Sequence, residues 1–486
     1  MAHSELPPLR PALLRALAAV TATGAIALPL LGRYGWDRDE LYFVSASRHL
    51  ALGYVDFPPL IAWLAWLVRH IFGDSLVALR LMCFAAGAVT TVVVVLLVRE
   101  LRGGRFAQIV AGFTWSLSPY LLGSASIFHP TWLDATAWSV VVYLLVRILL
   151  RPEPRLWPWL GIAAGIGLEA KYTMVFLLVA IALALLLFER NRLRERGPWV
   201  AAAIAAVLLV PNLIWQVQHG WPSISFASSQ NAKTAADTPP PTYVLQQVLF
   251  LAGAFALTIA GIVSLWRQRI RVVAALPVIL FVVFLAERGR AYYAMPAYVV
   301  AVAAGAIALE RARRRWTGAL VAGHLAAAIV AVPAIVPILP VHLWVSTGAW
   351  NVGFMKDEIG WPELTRQTEA VWSSLTPAQR AGGAVLAGNY GEASALEHYG
   401  HARLPLILSG HLSWQYWRPK ELPQRYLVTV GYDAQSLASL CSSVRDAARI
   451  DNTLKLGNEE RGRTINVCHL RQPLGADWRQ IATDDL

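Results

Sequence analysis

Charge is what this chain has least of. Asp, Glu, Lys and Arg make up 15% of its 486 residues, against 56% hydrophobic residues. Soluble globular proteins carry about 25% charged residues and about 45–50% apolar ones, so that class is excluded. Runs such as VALRLMCFAAGAVTTVVVVLLV and YTMVFLLVAIALALLLF fill the difference. They approach the roughly 20 residues that cross a bilayer core, and the chain reads as an integral membrane protein. Walker loop, G-x-S-x-G and H-E-x-x-H are all missing, which removes the usual signatures of P-loop NTPases, serine hydrolases and zinc peptidases. Cysteine is scarce: Cys83 lies in an apolar run, and Cys441 and Cys468 lie near the end. The last two are either bridged in an oxidising periplasm or two buried thiols, and spacing does not decide.

Acidic residues are also in deficit, giving a formal net charge of +12. The surplus is not a nucleic-acid patch, because it is patterned. Lys and Arg gather at Arg99, Arg102 and Arg105, at Arg147, Arg151 and Arg155, and at Arg190, Arg192, Arg194 and Arg196. Two further groups are Arg267, Arg269 and Arg271, and Arg311, Arg313, Arg314 and Arg315. The alternate short loops hold little positive charge: none between Pro119 and Thr131, then Lys171, Lys233 and the Arg288/Arg290 pair. Such alternation is the positive-inside signature of a multi-pass bacterial inner-membrane protein.

The fold expected is mainly α and polytopic, with about eleven transmembrane helices. They fall near 13–32, 76–98, 106–123, 132–150, 156–169, 172–189, 198–215, 244–266, 272–287, 291–309 and 317–340. Residues 13–31 read as a retained first span, the N-terminus as cytoplasmic, and everything after Pro340 as periplasmic. Two domains follow: a transmembrane domain over 1–340, with a first periplasmic loop at 33–75, and a small soluble α/β domain over 341–486. In the first loop a helical pattern after DRDE and the apolar stretch 60–72 predict two short interfacial helices, separated by Pro58-Pro59. In the last domain RYLVTVGY and RTINVCHL read as strands and 434–448 as a helix. Residues 216–243, with Pro239–Pro241, read as a long loop.

The candidate chemistry gathers at the predicted outer face. Asp37-Arg-Asp-Glu40 has the form of a capping box, which alone accounts for Asp37 and Glu40. It also offers a general base at the membrane surface, in Asp39 or Glu40. Asp134 is a lone acid about one turn into an apolar helix, where charge is functional by default, though headgroup solvation also accounts for it. Lys171, Arg288 and Arg290 sit at predicted outer helix ends; snorkelling explains any one of them, and phosphate binding explains them together. Arg48 and Arg69 are of the kind interfacial helices carry routinely. His129, His219 and His324 stand singly and read as structural. Trp36, Trp132, Tyr292, Tyr293 and similar rings suit an aromatic belt or a sugar platform. Asp37, Arg48, Tyr292, Tyr293 and His219 are kept as candidate substrate contacts.

These motifs resemble the bacterial GT-C membrane glycosyltransferases of the protein O-mannosyltransferase and lipid A aminoarabinose transferase-like group. The resemblance runs from about Tyr34 to the end, through DELYF, LALGYVDFPPL, the LDA of Asp134, GLEAKYT, NLIWQVQHGWPSISF, GRAYYAMPAY and AGNYGEASALEHYG. It implies inverting transfer of a sugar from a polyprenyl-phosphate donor to a glycan, lipid or protein acceptor at the outer face. It further implies Asp39 as catalytic base beside Glu40, Asp134 as the second acid, and Lys171 and Arg290 on the donor phosphate. Aminoarabinose transferases carry Asn-Lys-Pro-Pro in the first loop, whereas this chain has Asp56-Phe57-Pro58-Pro59, which counts against a lipid A modification role in particular and points to a different cation on the phosphate. Cations on the leaving phosphate make a metal dispensable, so no cofactor is expected. The alternatives are a flippase for a lipid-linked saccharide, which predicts charges near mid-membrane, and a non-catalytic envelope assembly protein, which leaves the clustered acids and bases unexplained.

Overall fold

The computed structural model describes residues 6–484 apart from 152, 313–315, 349–354, 401–402 and 424. Arg313, Arg314 and Arg315, and the side chain of Lys233, lie outside the described residues.

Each predicted span corresponds to helix, but not every helix is long enough to cross a bilayer. Among the described residues five are long and apolar enough: Leu9–Leu30, Leu76–Glu100, Pro130–Leu150, Arg196–Gln218 and Ala291–Arg311. A sixth arises if Pro240–Leu251 and Gly253–Arg267, bent by 101° about Ala252, count as one. Leu60–Phe72, Met174–Phe188, Arg271–Ala286 and Thr317–Pro333 are shorter apolar helices. Of the eleven predicted spans, five, or six with the bent pair, thus fall on helices long and apolar enough to cross, among the described residues.

Close helix packing uses small residues, as expected where apolar burial alone cannot distinguish a neighbour from lipid. A Cβ on Gly261 would lie 1.8 Å from Ala301 O, and one on Gly305 1.9 Å from Leu257 O. The helices Gly253–Arg267 and Val299–Arg311 can therefore approach only as glycine allows.

The first-loop helices form at Arg38–Ala46 and Leu60–Phe72, the second beginning after Pro59. Residues 216–243 are not a loop. Pro222 occupies the first turn of the helix Pro222–Asp237, where its missing N–H costs nothing, after a left-handed Trp221 (φ 60°).

The C-terminal region builds a five-stranded sheet in the order β2-β1-β3-β5-β4. Its strands are β1 Ala384–Ala387, β2 Ile407–Leu408, β3 Tyr426–Val430, β4 Cys441–Arg449 and β5 Thr464–Leu470. β1 pairs parallel with β2 and β3, and β5 runs antiparallel to β3 and β4. The helix expected over 434–448 is a turn followed by β4. Its Ala and Arg suit a helix, but backbone pairing with β5 overrides that weak propensity. Cys441 and Cys468 are bridged, while Cys83 is buried and free.

One apolar cluster unites the first loop with this sheet. Leu41, Val44 and Phe57 share it with Phe128, Trp361, Val385, Trp414 and Val428. The Arg38–Ala46 helix is therefore held from below by the bundle and from above by the C-terminal region.

Candidate active site

The capping box forms at Asp37-Arg-Asp-Glu40. Asp39 N donates to Asp37 Oδ1 (2.8 Å), and Asp37 N to Glu40 Oε2 (2.9 Å). Its carboxylates then part company. Asp37 is buried, and that burial, with Asp39 and Glu40 close by, pushes its carboxyl well above the usual range. Glu40 is fully buried and saturated by Arg80, whose Nε and guanidinium NH2 lie 2.8 and 2.7 Å away, and by Phe128 N at 2.8 Å. Arg80 also reaches Glu358 (3.2 Å) and Gly35 O (2.9 Å).

Asp39 faces the other way, its side chain 32% exposed. Tyr390 Oη donates to Asp39 Oδ1 (2.7 Å), and His129 Nε2 lies 3.4 Å from Oδ2. Burial opposes ionisation, but His129, Arg38 and Tyr390 together hold this carboxyl below its ordinary range. His129 is itself held below its usual value, chiefly by burial, with Asp39 opposing that shift.

His129 Nδ1 contacts Thr131 Oγ1 (2.8 Å), which accepts from Lys171 Nζ (3.3 Å). Lys171 Nζ lies 4.8 Å from the centroids of both Tyr292 and Tyr293, a cation–π cradle. Arg290, exposed at the start of that segment, lies within electrostatic reach of Tyr292, Tyr293 and Asp39. Asp134 is buried below, taking a hydrogen bond from Thr173 Oγ1 (2.8 Å). Its other oxygen has no partner of good geometry, although the Trp138 indole lies beside it.

Asp39, Asp134, Lys171, Arg290, Tyr292 and Tyr293 thus converge, whereas Arg48, His219 and Arg288 stand apart. Arg48 pairs with Asp74 (3.3 Å) and Glu397 (3.4 Å), tying the end of the first-loop helix to its neighbours. His219 stacks on Trp215 (4.0 Å) and contacts Trp215 O (2.8 Å). Arg288 is exposed in a left-handed turn (φ 51°), away from the group. Phe57, at the position of the absent lysine, is buried and stacked on Tyr54 (4.5 Å). Its neighbour Asp56 accepts from Tyr42 Oη (2.9 Å), and burial raises it to about 7.

Sequence reasoning missed His129 and Tyr390. His129 is only five positions before Asp134, at the N-cap of the same helix, so its placement was readable from that helix start. Tyr390 sits 351 positions from Asp39, and only the AGNYGEASALEHYG motif hinted at it.

Residues 56–215 match the family described as dolichyl-phosphate-mannose-protein mannosyltransferase. The lipid A galacturonosyltransferase RgtD of Rhizobium johnstonii is 28% identical over 37% of this chain and 38% of its own. An undecaprenyl phosphate-alpha-4-amino-4-deoxy-L-arabinose arabinosyl transferase of Pectobacterium atrosepticum is 24% identical over 38% of this chain and 36% of its own. The chain therefore matches less than half the length of either relative. The crystal structure of ArnT from Cupriavidus metallidurans bound to undecaprenyl phosphate superposes over 94% of this chain and 97% of ArnT, with TM-score 0.58 and 14% identity. Helical architecture and shared fold lead to one assignment: this chain is a helical membrane protein that shares the fold of ArnT, with residues 56–215 similar to the mannosyltransferase family.

Proposed function

We propose that this protein is an inverting glycosyltransferase that moves a sugar from a polyprenyl-phosphate donor to an acceptor hydroxyl at the periplasmic face of the inner membrane. The observation that carries the proposal is the placement of a partly exposed, ionised Asp39 beside the cations Lys171 and Arg290 at one end of the bundle. Asp39 takes the proton as the acceptor O–H bond breaks. The acceptor oxygen bonds to the anomeric carbon, and the C–O bond to phosphate breaks with its electron pair leaving on polyprenyl phosphate. Lys171 and Arg290 stabilise the charge that develops there, where fixed cations act most strongly. Asp134, anchored by Thr173, adds a buried negative charge beneath Lys171 and aims its ammonium at the phosphate.

In this reading the N-terminus is cytoplasmic, and residues 341–486 form a periplasmic domain over the site. The relatives' names support a lipid A or lipopolysaccharide core glycan as acceptor. The test compares lipid A and core glycans of a deletion strain with those of strains complemented by wild-type or Asp39→Asn protein. A sugar missing in the deletion strain, restored by wild type and not by Asp39→Asn, supports the proposal. Restoration by Asp39→Asn removes the catalytic role of Asp39.

A further inference from the structure

The chain passes from β1 to β2 on one side of the C-terminal sheet and later to β3 on the other, so strand order reverses between β1 and β3. In open α/β sheets the crevice at the carboxyl ends of such strands is where ligands bind. Here that switch point falls at Gly388–Tyr390 after β1 and Gly431 after β3, bridged by Gly388 N donating to Val430 O (2.9 Å) and filled by the Glu392 carboxylate, which accepts from Gly388 N (3.0 Å). Side chains of the first-loop helix lie against it. A Cβ on Gly391 would fall 2.4 Å from Arg38 Cγ, and Arg38 Cζ sits 5.6 Å from the Tyr390 ring centroid. Arg38 also pairs with Glu459 (2.5 Å) and Asp357 (3.5 Å) from the same region.

We infer that the C-terminal domain completes the active site, with Tyr390 as the positioning residue that fixes Asp39; this inference rests on the reading of Asp39 as the base. Tyr390 Oη occupies Oδ1 at 2.7 Å and leaves Oδ2, on the His129 side, to receive the acceptor's proton. The phenol is itself rigidly held. Its ring stacks on His411 (5.3 Å, 13°) and packs on Tyr42 (4.7 Å), and Tyr390 N donates to His411 Nδ1 (3.2 Å). A carboxylate held in one rotamer by a donor on a rigid element meets the tight geometry that proton transfer requires. A simple interdomain latch needs the same contact, but it does not require the phenol to tune the protonation of Asp39.

The experiment uses full-length protein in lipid nanodiscs. Asp39 is labelled with a water-soluble carbodiimide across pH and quantified by mass spectrometry, alongside sugar-transfer kinetics. Tyr390→Phe removes one hydrogen bond to a charged group, so the labelling midpoint should rise by about one pH unit. In that variant kcat should fall by about tenfold, with the donor KM unchanged. Replacing Tyr390 by 3,5-difluorotyrosine keeps the ring and makes the phenol a stronger donor, so the midpoint should move down. This arm holds even if Tyr390→Phe fails to fold. Unmoved midpoints in the folded variants overturn the inference, while transfer by the wild type keeps the glycosyltransferase reading. Shifted midpoints in a protein that transfers no sugar from any polyprenyl-phosphate donor sustain the positioning role and sink the function instead.

Discussion

Asp39 and Glu40 are adjacent in sequence and in the same first helical turn, yet they sit in opposite environments. Glu40 meets Arg80, Phe128 N and Asp37 N in a fully buried socket, and all its acceptor capacity is consumed. Asp39 meets Tyr390 through Oδ1 and, more loosely, His129 near Oδ2, at a partly open edge. The difference teaches that a capping box and a catalytic edge can share one turn when its successive side chains diverge by about 100°. One carboxylate builds the site, and the other uses it.

Breaking each side should give different failures. The largest effect on activity should come from Asp39→Asn, with transfer falling by about 10²–10⁴-fold in kcat. Its thermal midpoint should stay close to wild type; a matching loss of stability would erase the contrast with Glu40. Glu40→Ala should fail through the fold instead. It strips Arg80 of its closest partner, a change that costs about 3–5 kcal/mol for a buried pair. Yield and thermal stability in detergent measure this, and a fully stable variant would show the socket to be dispensable. Lys171→Ala and Arg290→Ala should each lower kcat/KM for the donor about tenfold, the scale of one charged hydrogen bond. Donor dependence in a reconstituted assay checks them.

Two pH effects sharpen the comparison further. Asp39 acts as a base only when ionised, and its carboxyl lies below the ordinary value of 3.8. The acid limb of kcat should therefore fall below that value, and a limb near neutral pH would point to another base. Glu392, buried behind the Tyr390 turn, is raised from 4.5 to about 8 by burial and by nearby Glu460. A carboxyl whose folded value is raised contributes stability below its unfolded value and loses it as pH climbs through the folded one. The region around 390–400 should thus loosen between pH 4.5 and about 8, most steeply midway, and level off above that range. Hydrogen exchange of that helix should show this, and Glu392→Gln should flatten the dependence.

Much of this was legible before any coordinates. Apolar runs gave the helices, and the D-x-x-E spacing gave the cap, because both depend on local periodicity. The same local logic failed at 434–448, where strand pairing outweighed Ala and Arg, and at 216–243, where prolines read as breakers in fact begin helices. His129 marks the start of its helix in the sequence, but nothing local names the residue it meets. Its partner, Asp39, comes from another segment of the chain.

The sequence by itself determined the membrane class, the capped turn and the set of ionisable side chains left among apolar neighbours, since lipid tolerates few charges without a reason. Only the tertiary structure decided which of them act together. It turned Glu40 inward to Arg80, brought Tyr390 across 351 positions to Asp39, and left Arg48, His219 and Arg288 outside the group. Those outcomes depend on which surfaces the packed core at Phe128, Val385 and Val428 forces together, and long-range packing has no signature in local spacing.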